Sequence, residues 1–406
     1  MYPTLYHAFL DLFGIHLEFL KLFNSFGFFV VIAFLTGAYI VKLEIERKVA
    51  EGIIPAVIRK ETRGAKATLM SYLSNVFIGA LLGFKVLYLI LDSGDALSDP
   101  PAFLLSFTGN WFGAILGGVL FYWLRHIEVR KEQKEFPKEV EVAYSVTGKD
   151  HASNIAMAGA LWGFIGAKLF FIVEDPDHIV SFFTDFSINS ILSGLTVFGG
   201  LILGGGAILY YFKKNGIPVF AGADAAAPAF ILAYGVGRIG CQVSGDGDWG
   251  IANSAAKPSW LNWIPDWAWS YNYPNNVNGV MGYSEKGGYM GKAIEADMGL
   301  PIFKGYGSYL DPGVYPTPIY ELLMATVIFL ILWALRKHIK VMGVIFFMVL
   351  FFNGLERFFI EKIRVNEELH LFGIEGTQAE FIAFLLMLAG IIGMAVRFRS
   401  ARTSKS

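Results

Sequence analysis

The sequence contains one cysteine in 406 residues, Cys241. A single thiol excludes an intramolecular disulfide framework and any cysteine-cluster metal centre. Histidine is also scarce. The seven copies include no pair at i, i+4, so the helical zinc-ligand pattern is missing and neither metal nor cofactor is expected. Only 17% of residues are charged, against about 25% in soluble domains. The formal net charge of −1, with no basic stripe interleaved with aromatics, argues against nucleic acid as a partner. The first 22 residues have no basic start and carry Asp11 and Glu18, so no cleavable leader is expected. The apolar run from His7 to Phe23 is expected to be a short helix lying in a membrane interface or a frayed lead-in.

What the chain has in quantity is apolar surface. Hydrophobic residues make up 55%, with 37 Phe and 45 Gly. Gly is frequent in membrane helices because it lets backbones approach closely. Spanning a bilayer takes about 20 mostly apolar residues. Nine segments qualify: 23–41, 69–91, 107–124, 153–174, 192–212, 222–241, 318–335, 341–361 and 377–396. The expected fold is an all-α polytopic integral membrane protein with about nine spans. Alternate connections differ in charge. Segment 42–68 has seven Lys/Arg and 125–152 has six, whereas 92–106 and 175–191 have none. Basic loops stay cytoplasmic. The expected topology therefore has an outside N-terminus and a cytoplasmic C-terminus, with 397–406 as a cytoplasmic tail.

Two stretches repeat. Gly83-Phe84-Lys85 through Asp92 aligns with Gly166-Ala167-Lys168 through Asp175, and Phe112-Gly113 aligns with Phe198-Gly199. Each stretch reads as a pair of spans joined by an acidic outer loop, which suggests a duplicated helix hairpin at 69–124 and 153–212. The expected organisation is an N-terminal segment and first span (1–41), loops carrying the extra hairpin (42–152), and a membrane core (153–396).

Ionisable residues inside spans are costly and mark function by default. They are Lys85, Lys168, Asp224, Arg238, Glu321, Glu356, Arg357 and Glu361. The topology puts Arg238, Glu321, Arg357 and Glu361 at the outer ends, with Asp224 at an inner end. Arg357, Glu361 and Arg364 stand at i, i+4 and i, i+3 on one helix face, where Glu361 is expected to hold both guanidiniums. Arginines at headgroup depth suit a phosphate ligand. For Lys85 and Lys168 the plainer expectation is snorkelling to the interface. The loop 242–317 holds five of the nine Trp, and is expected to lie on the membrane near the site.

Asp224, Pro228, Gly235 and Gly237-Arg238-Ile239-Gly240, followed by Trp249-Gly250, resemble the signature segment of the prolipoprotein diacylglyceryl transferases. Phe198-Gly199-Gly200-Leu201-Ile202, the run Tyr315 to Glu321, Arg357 to Glu361 with Arg364, and Gly376-Thr377-Gln378 resemble further motifs of that family in the same order. The resemblance covers roughly 153–396 plus the first span. It implies seven helices with a site open to the outer leaflet of the bacterial cytoplasmic membrane, and makes 69–124 an insertion.

The implied reaction moves the diacylglyceryl group of phosphatidylglycerol onto the lipobox cysteine thiol of a prolipoprotein signal peptide. On the matching positions, Arg238 and Arg357 hold phosphate charge, Glu361 orients Arg357, and Asp246 stands where the family has Glu. Tyr320, Glu321, Gly199, Gly200, Gly237, Gly240, Arg364 and Lys168 line the site. The chain departs from the family at Phe198 and Tyr315, where the family has His, at Cys241 and Ser244, where it has Asn, and at Lys168, where it has Arg. These departures leave Asp246 and Glu321 as candidate bases for the thiol. They also leave open a non-catalytic homologue that binds anionic phospholipid or lipoprotein signal peptides. A transporter would place polar groups at the midplane instead.

Overall fold

The computed structural model describes residues 1–91, 103, 106–174, 196–366, 368–371 and 374–403. Its first helix, α1 (Leu5–Phe13), is short. Among the described residues nine longer helices follow: α2 (Ser25–Ala50), α3 (Leu69–Leu91), α4 (Trp111–Glu135), α5 (Gly148–Glu174), α6 (Val197–Lys214), α7 (Val219–Ser244), α8 (Thr317–Leu335), α9 (Val344–Glu361) and α10 (Gln378–Thr403). Each overlaps one of the apolar segments read from the sequence. Seven are long and apolar enough to cross a membrane. The exceptions are α6, which is 18 residues long and ends in Lys213 and Lys214, and α9, which carries Glu356, Arg357 and Glu361. The acidic loops 92–106 and 175–191, and the start of the 192–212 segment, fall largely outside the described residues.

Helix starts follow local capping chemistry. The Asn24 side chain accepts from Gly27 N–H at the head of α2, and Asn110 accepts from Gly113 N–H at the head of α4. Thr147 and Asp150 bond reciprocally before α5, as Thr377 and Glu380 do before α10. At its far end α4 runs on to Glu135, well past the expected 124, because no Gly or Pro interrupts 119–135. For the same reason α2 continues to Ala50.

Connections expected to be plain loops contain small antiparallel sheets. Strands β1 (Ile58–Arg63) and β2 (Val140–Ser145) pair across the basic connections. Within the long aromatic loop, β3 (Gly282–Ser284), β4 (Tyr289–Ala293) and β5 (Ser308–Asp311) form one sheet. A last ribbon, β6 (Glu368–Leu371) and β7 (Ile374–Thr377), precedes α10.

The repeat seen in the sequence returns as a repeat of geometry. A Cβ on Gly83 would run into the Gly113 carbonyl, and one on Gly166 into the Gly199 carbonyl. The next contacts also correspond, because Leu87 closes over Gly113 as Phe170 closes over Gly199. Asn110 N–H donates to Phe84 O at 2.8 Å, and Thr196 N–H to Ala167 O at 3.1 Å. The α3/α4 and α5/α6 hairpins thus share one register, fixed where glycine permits backbone contact.

Helix α7 is central and packs against α2, α8 and α9, while α10 covers α9. One apolar cluster joins Ile40, Val41 and Ile45 to Ala152, Ile155, Phe212 and Ala221. Another joins Ile231 to Ala325, Ile328, Leu332, Ile345 and Val349. A third lies in the aromatic loop around Trp249, Tyr273, Tyr289, Leu310 and Val314. Helix α1 docks on that loop. The His7 ring lies 4.5 Å from Phe303, and Tyr2 N–H donates to Val243 O. Leu12, Phe13 and Phe19 remain exposed.

Candidate active site

Three helix ends and one loop bring the charged residues together. Arg238 lies in the last turns of α7, Glu321 in the second turn of α8, and Arg357 and Glu361 at the end of α9. Glu321 is fully buried and is the hub. Arg238 Nε lies 2.9 Å from its Oε2, while Arg357 Nη1 and Arg364 Nη1 lie 3.4 and 3.6 Å from its Oε1. Glu361, also fully buried, holds Arg357 Nη2 at 3.1 Å and accepts from Asn366 Nδ2 at 2.5 Å. Three guanidiniums around buried carboxylates form a network in which each charge is compensated in a low-dielectric setting.

The expectation that Glu361 holds both flanking arginines is corrected here. Arg364 turns instead to Glu321 and Asp248. Helix α9 ends at Glu361, so helical i, i+3 geometry no longer applies to Arg364, whose backbone bridges Gly250 of the loop.

Asp248 is the residue that sequence reasoning missed. One carboxylate oxygen lies 2.6 Å from Arg364 Nη2, and the other pairs with Arg238 Nη1. Burial works against its charged form, but Arg238 and Arg364 outweigh it and hold the carboxyl well below the usual range. The only signal available was its place just before Trp249-Gly250. That dipeptide is an anchor. Trp249 is buried, with Nε1 donating to Tyr289 OH at 3.0 Å. Gly250 lies so close to the Ile363 carbonyl that a Cβ would collide with it.

Asp246 lies beside this network and not in it. Its Oδ1 accepts from Asp248 N–H at 3.3 Å, and burial, then the charge of Asp248, raises its carboxyl above the ordinary value. Cys241 Sγ is 3.5 Å from Asp248 Oδ2 and 3.8 Å from Arg238 Nη1. Cys241, Asp246 and Asp248 present ligand-type atoms within 4.8 Å of one another. Of the three, only Asp248 belongs to the ion-pair network, where it already holds two guanidiniums, and Cys241 and Asp246 stand at its edge. Glu356 is buried next to the cluster and accepts from Tyr234 OH at 3.3 Å, and the Tyr234 ring lies 4.9 Å from the Arg238 guanidinium.

The remaining expected residues separate by role. Tyr320 OH donates to Ala268 O at 2.8 Å and ties the Trp-rich loop to α8 beside Glu321. A Cβ on Gly237 would meet open space next to Arg238, whereas Gly240 packs closely on Phe26 and Phe29 of α2. Gly199 and Gly200 face Gly166 and Gly163 across the α5/α6 hairpin, so both serve helix packing. The Lys168 ammonium lies 4.8 Å from the Phe171 ring. Lys85 is bound by the carbonyls of Phe103, Ser106 and Thr108, which accounts for it as a loop cap. The side chain of Phe198 lies outside the described residues. Asp224 accepts from Gly343 and Phe346 N–H at 2.7 and 2.9 Å, so it caps α9 at the opposite end of the bundle.

Comparison with known proteins decides the family. The family model described as prolipoprotein diacylglyceryl transferase matches residues 100–396. The chain belongs to the prolipoprotein diacylglyceryl transferase family. It is 27% identical over 312 residues to the phosphatidylglycerol–prolipoprotein diacylglyceryl transferase of Staphylococcus xylosus, covering 75% of this chain and 92% of that one. It is 26% identical over 303 residues to the protein of the same name from Staphylococcus aureus strain Newman, covering 72% and 87%. Within this transferase family match lie all six members of the ion-pair network, Arg238, Asp248, Glu321, Arg357, Glu361 and Arg364. The match begins inside the first hairpin, ahead of residue 153, where the motifs begin.

Proposed function

We propose that the protein transfers the diacylglyceryl group of phosphatidylglycerol to the lipobox cysteine thiol of a prolipoprotein, at the outer leaflet of the bacterial cytoplasmic membrane. The observation that carries this reading is the convergence of Arg238, Arg357 and Arg364 on Glu321 in a chain of this family. Arg238 and Arg357 bind the lipid phosphate, and Arg364, which shares Asp248 with Arg238, adds a third guanidinium to the same clamp. Charge grows on the phosphate as its ester C–O bond breaks, so donors fixed in advance by buried carboxylates favour the transition state over the ground state. The thiol sulfur bonds to the diacylglyceryl carbon, its proton goes to a base, and glycerol phosphate leaves with the C–O electron pair. A free thiol is only a few per cent ionised at neutral pH, hence the need for a base. Asp246 suits that role better than Glu321, which three guanidiniums already hold.

In this reading nine helices cross the membrane, with the N-terminus outside and the C-terminus cytoplasmic, and α3/α4 is a second copy of the α5/α6 hairpin. Tyr320 and the open face of Gly237 border the lipid site. The test is transfer of labelled diacylglyceryl from phosphatidylglycerol to a lipobox peptide by purified protein in lipid. Transfer supports the reading. Phosphatidylglycerol bound without transfer supports instead a non-catalytic member that binds anionic lipid or signal peptides. That alternative is favoured by one observation, the thiol of Cys241 placed against Asp248 and Arg238.

A further inference from the structure

Every guanidinium of the cluster is already paired, so an incoming phosphate has to displace something. The three acids holding the arginines are not equally placed. Glu321 and Glu361 have no exposed side-chain surface, whereas the Asp248 side chain is 31% exposed. Arg238 and Arg364 are 15% and 11% exposed, so Asp248 is the acid on their open side.

We infer that Asp248 is a resident anion that keeps the phosphate position, and that a phosphodiester headgroup exchanges with its carboxylate on Arg238 and Arg364. This rests on reading the cluster as a phosphate clamp. Four features support the exchange. A carboxylate and a phosphodiester each offer two oxygens and one negative charge, so one replaces the other with no change in the charge of the network. Asp248 uses one oxygen per arginine, the pattern two non-bridging phosphate oxygens would reproduce. Arg364 Nε is buried without a hydrogen-bond partner among the described residues, so a donor is left over for a ligand with more acceptors. The backbone here is also fixed while the side chain is not. Thr317 Oγ1 donates to Asp248 O at 2.5 Å and the next residue is the buried anchor Trp249, so the carboxylate can turn away without moving the chain.

A purely structural salt bridge and a displaceable one differ in the sign of a binding change. The probe is dihexanoyl phosphatidylglycerol, titrated calorimetrically into the full chain in lipid nanodiscs. Asp248→Asn is expected to bind it about tenfold more tightly, because the lipid no longer competes with a charged acceptor. Unchanged or weaker binding by a folded Asp248→Asn overturns the inference. In case that variant does not fold, wild-type protein labelled at the Asp248 carboxyl alone gives a second readout. The infrared carboxylate band of Asp248 shifts on lipid addition if it is displaced, and an unmoved band overturns the inference. Inorganic phosphate titrated in parallel identifies the source: a response to it means that any phosphate exchanges with Asp248, and a response to the lipid alone means that the headgroup is needed. Either response supports exchange. Wild-type protein that binds no phosphatidylglycerol at all defeats the clamp reading itself, a result distinct from bound lipid with no gain in Asp248→Asn.

Discussion

Glu321 Oε2 and Arg238 Nε lie 2.9 Å apart, joining the second turn of α8 to the last turns of α7. Since Arg357 and Arg364 lean on the same carboxylate, its removal leaves three guanidiniums short of one buried counter-charge. Breaking a buried pair on one side costs roughly 3–5 kcal/mol. Glu321→Ala is expected to lose that much stability in chemical unfolding in detergent. Arg238→Met combined with Glu321→Leu, which removes both charges, is expected to lose less than the single change. A Glu321→Ala protein as stable as wild type would contradict the hub role.

Asp224 resembles a functional residue by position in the sequence and is structural by contact. Its carboxylate caps α9 through Gly343 and Phe346 N–H. Asp224→Ala is expected to cost about 1–2 kcal/mol, the scale of a lost cap. Phosphatidylglycerol affinity is expected to stay within twofold of wild type, because the cap lies at the other end of α9 from Arg357. A fall in affinity with unchanged stability would reverse that assignment.

The docking of α1 is expected to depend on pH through His7. Burial against the loop, then the charge of Lys21, lowers the His7 imidazole from about 6.5 to about 4. The docked state therefore binds the proton less readily than the released state. Docking is fully stable above pH of about 6.5 and weakens as pH falls toward about 4. Limited proteolysis of residues 1–24 across this range checks it. His7→Phe keeps a ring against Phe303 and is expected to remove the pH dependence, whereas an unchanged profile in that variant assigns the effect to another group.

Much of this was legible in the sequence, for physical reasons that also mark where legibility ended. Long apolar runs announce helices, so each apolar segment overlaps a helix, and seven of those helices are long and apolar enough to span. Their ends were misplaced where charged residues continue a helix beyond the apolar stretch, as at 125–135. The Gly83/Gly166 repeat was readable because close backbone approach requires glycine on both copies. Arg238, Glu321, Arg357 and Glu361 stood out because charge in a span is expensive, and Arg364 because of its spacing from Glu361. Asp248 did not, because an acidic residue in a loop is ordinary until folding lays that loop across two arginines. Nor could composition separate Gly199 and Gly200 as packing residues from Gly237, which faces open space.

The role of the arginine clamp is tested by diacylglyceryl transfer, with phosphatidylglycerol binding measured on the same preparations, in wild type and Arg238→Ala. Transfer by wild type is expected, with a loss of at least about 10²-fold in Arg238→Ala, the scale seen when one charge-stabilising donor is removed. Folded Arg238→Ala protein that transfers diacylglyceryl as fast as wild type would contradict that role.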